Sequence, residues 1–381
     1  MTSTDSERVL HVIDANCSWI RSLANGVPPG WRICLYRIYS PQWLPNGIKD
    51  LSRSFRRLQM ADRTDETLVV VPGWNKAPRL SAQILRAVLG SRLRSEVGSS
   101  AVLFTFPFYS HVAEWVNAHF PSVPLAYHAH DPFEFYAYPP GYIRLHEDRL
   151  VPLCDRIFAI SEKLREDFQS RYPDVVIDLL ANGVSNTFLQ ISERDHQIEE
   201  FRKIRSLGQP VVGVVGQINM SYNWDLLESA ADVNSKMQLV FIGNLFEEGE
   251  ATAQIRSFFQ RPNVHWLGPK PHHLLKAYME SCDHLLNPLL VNAHNDRRDT
   301  LRLYDYLSTG CSVVSTGIDG AKRHGDLVKV IVSKFEMIKF LGQLPPIVSH
   351  EEILRRRAYL AENTWATRGR QLTKALTSKV S

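Results

Sequence analysis

Three charged side chains that could meet an anionic ligand and its hydroxyls fall in one short stretch. Arg298, Arg302 and Asp305 lie in residues 296–316, DRRDTLRLYDYLSTGCSVVST. The stretch runs polar loop, helix, glycine, strand. Asp299 or Thr300 is placed to cap the helix, because either side chain can accept from its free N–H groups. Leu301, Tyr304 and Leu307 make an apolar stripe at helical spacing. Gly310 stands where a helix stops, and residues 311–315 read as a short buried strand. A helix start offers unpaired N–H donors and a positive dipole end, which favour an anion such as a diphosphate. Arg298 and Arg302 add full charges, and Asp305, a turn further on, can take a hydroxyl pair. The same residues also fit an ordinary α/β loop with solvated arginines, so their place in the chain has to decide.

The rest of the chain alternates strand and helix. Strands are expected at 9–13, 33–36, 67–71, 101–105, 123–128, 156–160 and 175–180, with helices at 80–93, 111–119, 147–153 and 162–172. A polar stretch at 190–205 interrupts the pattern, which restarts with strands at 211–215, 238–242, 264–267, 284–286, 311–315 and 329–332. Residues 351–376 read as helical throughout and contain Trp365. Such alternation implies βαβ units and parallel sheets. The expected domains are 1–200, 206–355 and a terminal helix, 356–381. Two open α/β sheets bind ligands beyond the carboxyl ends of their strands, and set face to face they make a cleft for two ligands. The candidate site loops therefore hold Asp14, Trp74, His130, Asp131, residues 216–219, Gly243, Asn244 and residues 288–299.

Composition narrows the class. The net charge of +4 on 381 residues is too small for wholesale nucleic-acid binding. Five dispersed cysteines without a CxxC argue for a reducing compartment and against a disulfide frame or zinc site. The N-terminus lacks a signal-peptide pattern, and no run approaches the ~18 apolar residues of a membrane span. The expected location is cytoplasmic. Residues 49–94 carry ten Lys/Arg against four acids, beside a Trp43–Leu44 loop tip. Residues 43–94 are thus a candidate for peripheral contact with an anionic membrane face, set against an ordinary solvated helix.

Several pieces, in order, resemble a GT-B glycosyltransferase of the group 1 type found in bacterial envelope polysaccharide synthesis. They are CDRIFAIS from Cys154 with Leu164, Asn182-Gly183-Val184 with Phe188, Val214-Val215-Gly216, VHWLG from Val264, CDHLLNP from Cys282, residues 300–316, and Trp365 in the last helix. The resemblance spans about residues 101–370. It implies two Rossmann-like doubly wound domains facing a cleft, with a C-terminal helix crossing back to the first. Within the pattern, Arg302 stands for a usual lysine, Asp305 for a glutamate and Ser312 for a proline. The Lys/Arg pair common after the first strand of the second domain is missing from residues 216–225.

The activity implied is transfer of a sugar from a UDP- or GDP-linked donor to a glycan or lipid-linked acceptor, without a metal or other cofactor. The donor-binding candidates are Gly216, Asn219, Asn244, Arg298, Thr300, Leu301, Arg302 and Asp305, with Tyr222, Trp224, Asp225, Asn292 and His294 nearby. An inverting transfer also needs a base for the acceptor hydroxyl. Asp131 leads by its strand-end position, His130 is the rival by its neutral-range pKa, and Asp14 is third. Two other readings fit the same fold: a non-hydrolysing sugar-nucleotide 2-epimerase, and a catalytically degenerate binding subunit.

Overall fold

The computed structural model describes residues 7–39, 64–72, 77–189, 198–246, 251–345 and 347–377. The chain divides into two compact units. One is Met1–Asn182 together with Trp365–Ser381, and the other is Gly183–Thr364.

The first unit holds seven strands: β1 (Arg8–Ile13), β2 (Trp31–Tyr39), β3 (Thr64–Val70), β4 (Ser100–Phe104), β5 (Leu125–Ala129), β6 (Arg156–Ala159) and β7 (Ile177–Leu179). They form one parallel sheet in the order β3-β2-β1-β4-β5-β6-β7. β4 and β5 are buried at every position, as expected of strands covered on both faces. Alternate residues feed two cores. Val9, Ile13, Cys34, Val102 and Phe104 point to one side with Leu85 and Leu89 of the helix Pro78–Glu96. Leu10, Val12, Ile33, Leu35 and Leu103 point to the other, with Leu23 of the helix Ser18–Asn25 and Leu372 of the helix Trp365–Thr377.

The second unit repeats the architecture with β8 (Val211–Val215), β9 (Gln238–Ile242), β10 (Val264–Trp266), β11 (His284–Asn287), β12 (Ser312–Ser315) and β13 (Lys329–Val330). The parallel order is β10-β9-β8-β11-β12-β13. Both sheets use the same brace. Asp155, before β6, accepts from the Leu125 N–H at 2.9 Å and returns its own N–H to the Leu125 carbonyl at 2.8 Å. Asp283, before β11, does the same with Val211 at 2.8 Å each way. The two Cys-Asp motifs thus each pin the start of a neighbouring strand.

Three expectations change. The boundary falls at 182/183 rather than 200–206, because Phe201 and Ile204 of the helix Glu199–Leu207 are buried in the second unit's core. The segment 351–376 is two helices, His350–Glu362 and Trp365–Thr377, broken at Asn363–Thr364. Only the latter belongs to the first unit. It crosses the helix Ser18–Asn25 where glycines let backbones touch: a Cβ on Gly369 would lie 2.2 Å from Gly26, and one on Gly26 would lie 2.0 Å from the Trp365 carbonyl oxygen. The helix expected at 147 starts at Tyr142, after Gly141 at φ +75°. Its buried face includes His146 and Glu147, so polar residues hid its apolar pattern.

Trp43, Leu44 and Trp74 lie outside the described residues. Of the basic helix face, Arg86 donates to the His111 carbonyl at 2.6 Å and Arg92 pairs with Asp65 at 3.2 Å. Among the described residues, no helix is long and apolar enough to cross a membrane.

Candidate functional site

In each sheet the strand order reverses direction at one place, and loops diverge there to leave a crevice. In the second unit that place is between β8 and β11. Gly216 follows β8 at φ +129° and Gly243 follows β9 at φ +149°. A Cβ on Gly243 would sit 1.9 Å from the Gly216 carbonyl oxygen, so only glycine allows the two loops to meet.

The Arg302 head lies over this junction, 3.1 Å from where a Gly216 Cβ would stand. Its Nη1 donates to the Tyr222 hydroxyl at 2.9 Å, and the guanidinium sits over the Tyr222 ring at 5.0 Å. No carboxylate pairs with Arg302 among the described residues. Tyr306 fixes the helix that carries it: the Val215 N–H donates to the Tyr306 hydroxyl at 2.7 Å.

Asp305 is on the same helix, half-buried. Its carboxylate has neither ion pair nor hydrogen bond among the described residues, and burial pushes it up to about 7. The helix thus presents a guanidinium without a carboxylate and a carboxylate without a donor.

The capping expectation is corrected. Thr300 is the N-cap, but its side chain makes no capping bond. Its hydroxyl is buried without a partner among the described residues. Asp299 accepts from the Tyr304 hydroxyl at 3.0 Å and pairs with Arg323 at 3.3 Å, so it braces the fold. The buried face is Leu303, Tyr304, Tyr306 and Leu307, while Leu301 is half-exposed. With seven residues, the helix adds little field beside the full charge of Arg302.

The other donor candidates divide. Arg298 is half-buried in the turn before the helix, its N–H donating to the Asn295 carbonyl at 3.2 Å. Asn244 is exposed beside Gly243, and its carbonyl accepts from Ile218 at 2.9 Å. The Asn219 side chain turns onto Ser221, accepting from its N–H at 2.9 Å, and so builds its own loop. Trp224 is buried and Asp225 pairs with Lys334 at 2.8 Å. Asn292 caps the short helix Ala293–Asp296 by accepting from Asn295 at 2.8 Å. His294 is half-buried within that helix.

In the first unit the reversal is between β1 and β4. Asp14 follows β1 at φ +66°, a backbone conformation unusual for any residue but glycine. Thr105, after β4, donates to the Ile13 and Asp14 carbonyls at 2.8 and 3.1 Å, clamping the two loops together. The buried Asp14 carboxylate accepts from the Tyr109 hydroxyl at 2.6 Å. Asp131, after β5, is half-buried and accepts from the Tyr136 hydroxyl at 2.8 Å. The His130 ring is wedged between Trp19, Phe133 and Phe106 at centroid distances of 4.4, 4.9 and 5.1 Å.

Sequence reasoning missed Tyr109 and the aromatic packing around these carboxylates. The signal was available: Phe133, Phe135, Tyr136, Tyr138 and Tyr142 give five aromatics in ten residues directly after a strand end.

Burial lifts the Asp14 carboxyl from 3.8 to about 6 against the opposing pull of Tyr109 and Asn16. The folded chain therefore keeps a proton there that the unfolded chain has lost, and this residue's contribution to stability falls as pH rises from about 4 to about 6. Above that window Asp14→Asn is expected to raise stability by about 1–3 kcal/mol, since asparagine also tolerates positive φ. Thermal unfolding of both chains at pH 7.5 and pH 4 checks this. The gain should appear at pH 7.5 and fade at pH 4, and equal midpoints at pH 7.5 count against it.

No family model matches this sequence. A Bacillus subtilis protein named "Putative teichuronic acid biosynthesis glycosyltransferase TuaH" is 21% identical over 183 residues, which are 48% of this chain and 45% of that protein. Solved structures match along nearly the whole chain. Anabaena Alr3699/HepE in complex with UDP superposes with a TM-score of 0.71 at 13% identity, covering 98% of this chain and 100% of that one. An alpha,alpha-trehalose-phosphate synthase (UDP-forming) from Burkholderia xenovorans, in complex with glucose-6-phosphate, gives 0.69 at 11% identity, covering 97% and 100%.

Proposed function

We propose that this chain, which has the GT-B glycosyltransferase fold, transfers a sugar from a UDP- or GDP-linked donor to a glycan or lipid-linked acceptor in bacterial cell-surface polysaccharide synthesis. The observation that carries this reading is Arg302. A largely desolvated guanidinium without a carboxylate is costly unless an anion supplies the missing charge. It stands at the reversal point of a nucleotide-binding type of sheet, where a ligand is expected. A departing diphosphate provides that charge, and stabilising it as the sugar–phosphate bond breaks is often the largest catalytic contribution. Asp305 then meets the donor ribose or sugar hydroxyls, and Gly216 and Gly243 let backbone approach the phosphates. Arg298, Asn244, Thr300 and Leu301 line the same loops, and no metal is assigned. The two UDP-related neighbours and the polysaccharide-related relative agree with this chemistry.

In the first unit the proposed base is Asp131, with His130 packed beside it. Asp131→Asn is expected to lower turnover about 10²- to 10⁴-fold, the range for a lost general base, with donor affinity unchanged. Donor titration and initial rates on one preparation check this, and unchanged turnover removes Asp131 from the mechanism. Peripheral membrane contact through residues 43–94 and a cytoplasmic location complete the reading.

The test is thermal unfolding with UDP, GDP and a panel of their sugar derivatives, followed by mass spectrometry of products. Stabilisation by one donor and a donor-plus-acceptor product support transfer. Turnover of UDP-N-acetylglucosamine without an acceptor would indicate the 2-epimerase. Binding without any product would indicate a degenerate subunit, and no stabilisation by any nucleotide would overturn the donor site.

A further inference from the structure

A cavity in the second unit lies apart from the donor crevice. It measures about 500 Å³, within the usual range of small-molecule sites. Glu280 and Gly310 are on its wall, just ahead of β11 and β12. It therefore lies at the amino ends of these strands, whereas Gly216 and Gly243 stand at carboxyl ends. Phe188, Leu307, Val348, Ile353 and Leu360 supply apolar wall, and Ile347, also on the wall, is 92% exposed. The helix His350–Glu362 forms one side because Ile353, Arg356, Arg357 and Leu360 recur at helical spacing on one face. Buried Arg356 reaches from that face to the turn after the Leu301–Leu307 helix, donating to the Thr309 and Cys311 carbonyls at 3.2 and 2.8 Å. Its Nη2 pairs with Glu352 at 2.6 Å. A guanidinium on a long stem stands where a shorter apolar side chain would let the helix close onto Leu307. The arginine thus props the cavity open, and its bonds hold the walls without a ligand.

The charges around the wall are unequal. Arg356 and Arg357 line it, and Lys276 donates to the carbonyl of the lining residue Phe188 at 2.9 Å. Against these three cations stand two carboxylates, Glu280 on the wall and Glu352 on Arg356. One positive charge is left over. Arg357 is exposed, with neither ion pair nor hydrogen bond among the described residues, so it is the cation available to a ligand.

We propose that this cavity binds an amphipathic monoanion: an aliphatic chain lies against Phe188, Leu307 and Ile353, and its carboxylate head pairs with Arg357. The excess of one positive charge suits a single carboxylate better than a diphosphate. A free sugar would leave hydroxyls unpaired against the apolar wall. A concave cavity takes one soluble molecule, whereas a bilayer surface is met by an exposed face. The proposal needs no nucleotide and stands apart from the transferase reading.

The experiment is an NMR titration of the full chain with octanoate, decanoate and uncharged octanol, each below its micelle concentration, with and without saturating UDP. Both carboxylates are expected to bind, decanoate about 15-fold tighter for its two extra methylenes. Arg357→Gln should weaken octanoate about tenfold, the loss of one charge-assisted bond, and leave octanol unchanged. Ile353→Trp, which fills the cavity, should remove binding of all three. Leu354→Ala, exposed on the same helix and off the cavity wall, should change nothing. Thermal midpoints identify any unfolding, in which case Ala361→Trp, on the wall, replaces Ile353→Trp.

A wild-type chain that binds neither carboxylate overturns the site, and so does binding that survives the filling variant. Equal affinity for octanol and octanoate removes the anionic head from the proposal. Competition between decanoate and UDP would put the chain in the donor crevice and sink it too. Two other occupants have their own signatures: phosphatidylglycerol vesicles bound in place of decanoate, or a self-association that Ile353→Trp dissolves. Either one defeats the small-molecule assignment.

Discussion

Arg302→Met is expected to weaken donor binding roughly 10²- to 10³-fold while leaving the thermal midpoint equal or higher. The two halves of that expectation have one cause. In the free chain the guanidinium is largely desolvated, with the Tyr222 hydroxyl as a hydrogen-bond partner and no carboxylate paired with it among the described residues. Methionine matches its length and removes the charge, so the folded chain loses a desolvation cost along with one hydrogen bond worth about 1–3 kcal/mol. The donor diphosphate loses its charged partner outright, which costs about 2.7–4 kcal/mol, or roughly 10²- to 10³-fold, by analogy with lost transition-state donors. Arg302→Lys should fall between, because a point charge cannot reproduce a planar fork. Calorimetric UDP titration and thermal unfolding of the three proteins decide the matter. A midpoint that drops sharply in Arg302→Met with UDP affinity retained would make the arginine a structural brace for Tyr222.

The second large effect is on stability. Gly369→Ala should destabilise the first unit by about 3 kcal/mol, at the upper end of overpacking costs, although alanine is the better helix former by about 1 kcal/mol. Contact decides the sign. The added methyl would stand 2.2 Å from Gly26 backbone atoms, and backbone cannot swing aside as a side-chain tip can. For a unit of this size the midpoint should fall about 6–12 °C. Lys374→Ala, exposed on the same helix, serves as the control. A stabilised Gly369→Ala would show that the two helices do not cross at this spacing.

Legibility followed the physics of each signal. Parallel strands buried on both faces announce themselves as apolar runs, so β4, β5, β8 and β9 were readable, and with them the loops holding Asp131, Gly216 and Gly243. The helix bearing Arg302 and Asp305 was legible because glycine and a strand close it. Its cap was not: Asp299 is taken by Tyr304 and Arg323, a choice made by tertiary contacts and absent from local spacing. Asp14 ranked behind Asp131 because chain position alone does not reveal a positive φ, a buried carboxylate or Tyr109, which lies 95 residues away in sequence. The boundary at Asn182 and the break at Asn363–Thr364 were hidden for another reason. A helix that changes units needs only two non-helical residues, and nothing in their composition marks them strongly.

That change of units sets an order on synthesis. The helix Trp365–Thr377 completes the first unit's core through Leu372 and Leu376, yet the ribosome makes it after all of Gly183–Thr364. Until then the apolar ground around Leu23, Val27 and Phe158 lacks its final cover. The nascent first unit must therefore wait, incomplete, while the second is produced. A chain stalled or cut before Trp365 would carry a sticky surface suited to chaperone capture, whereas a chain that includes the helix Trp365–Thr377 buries it.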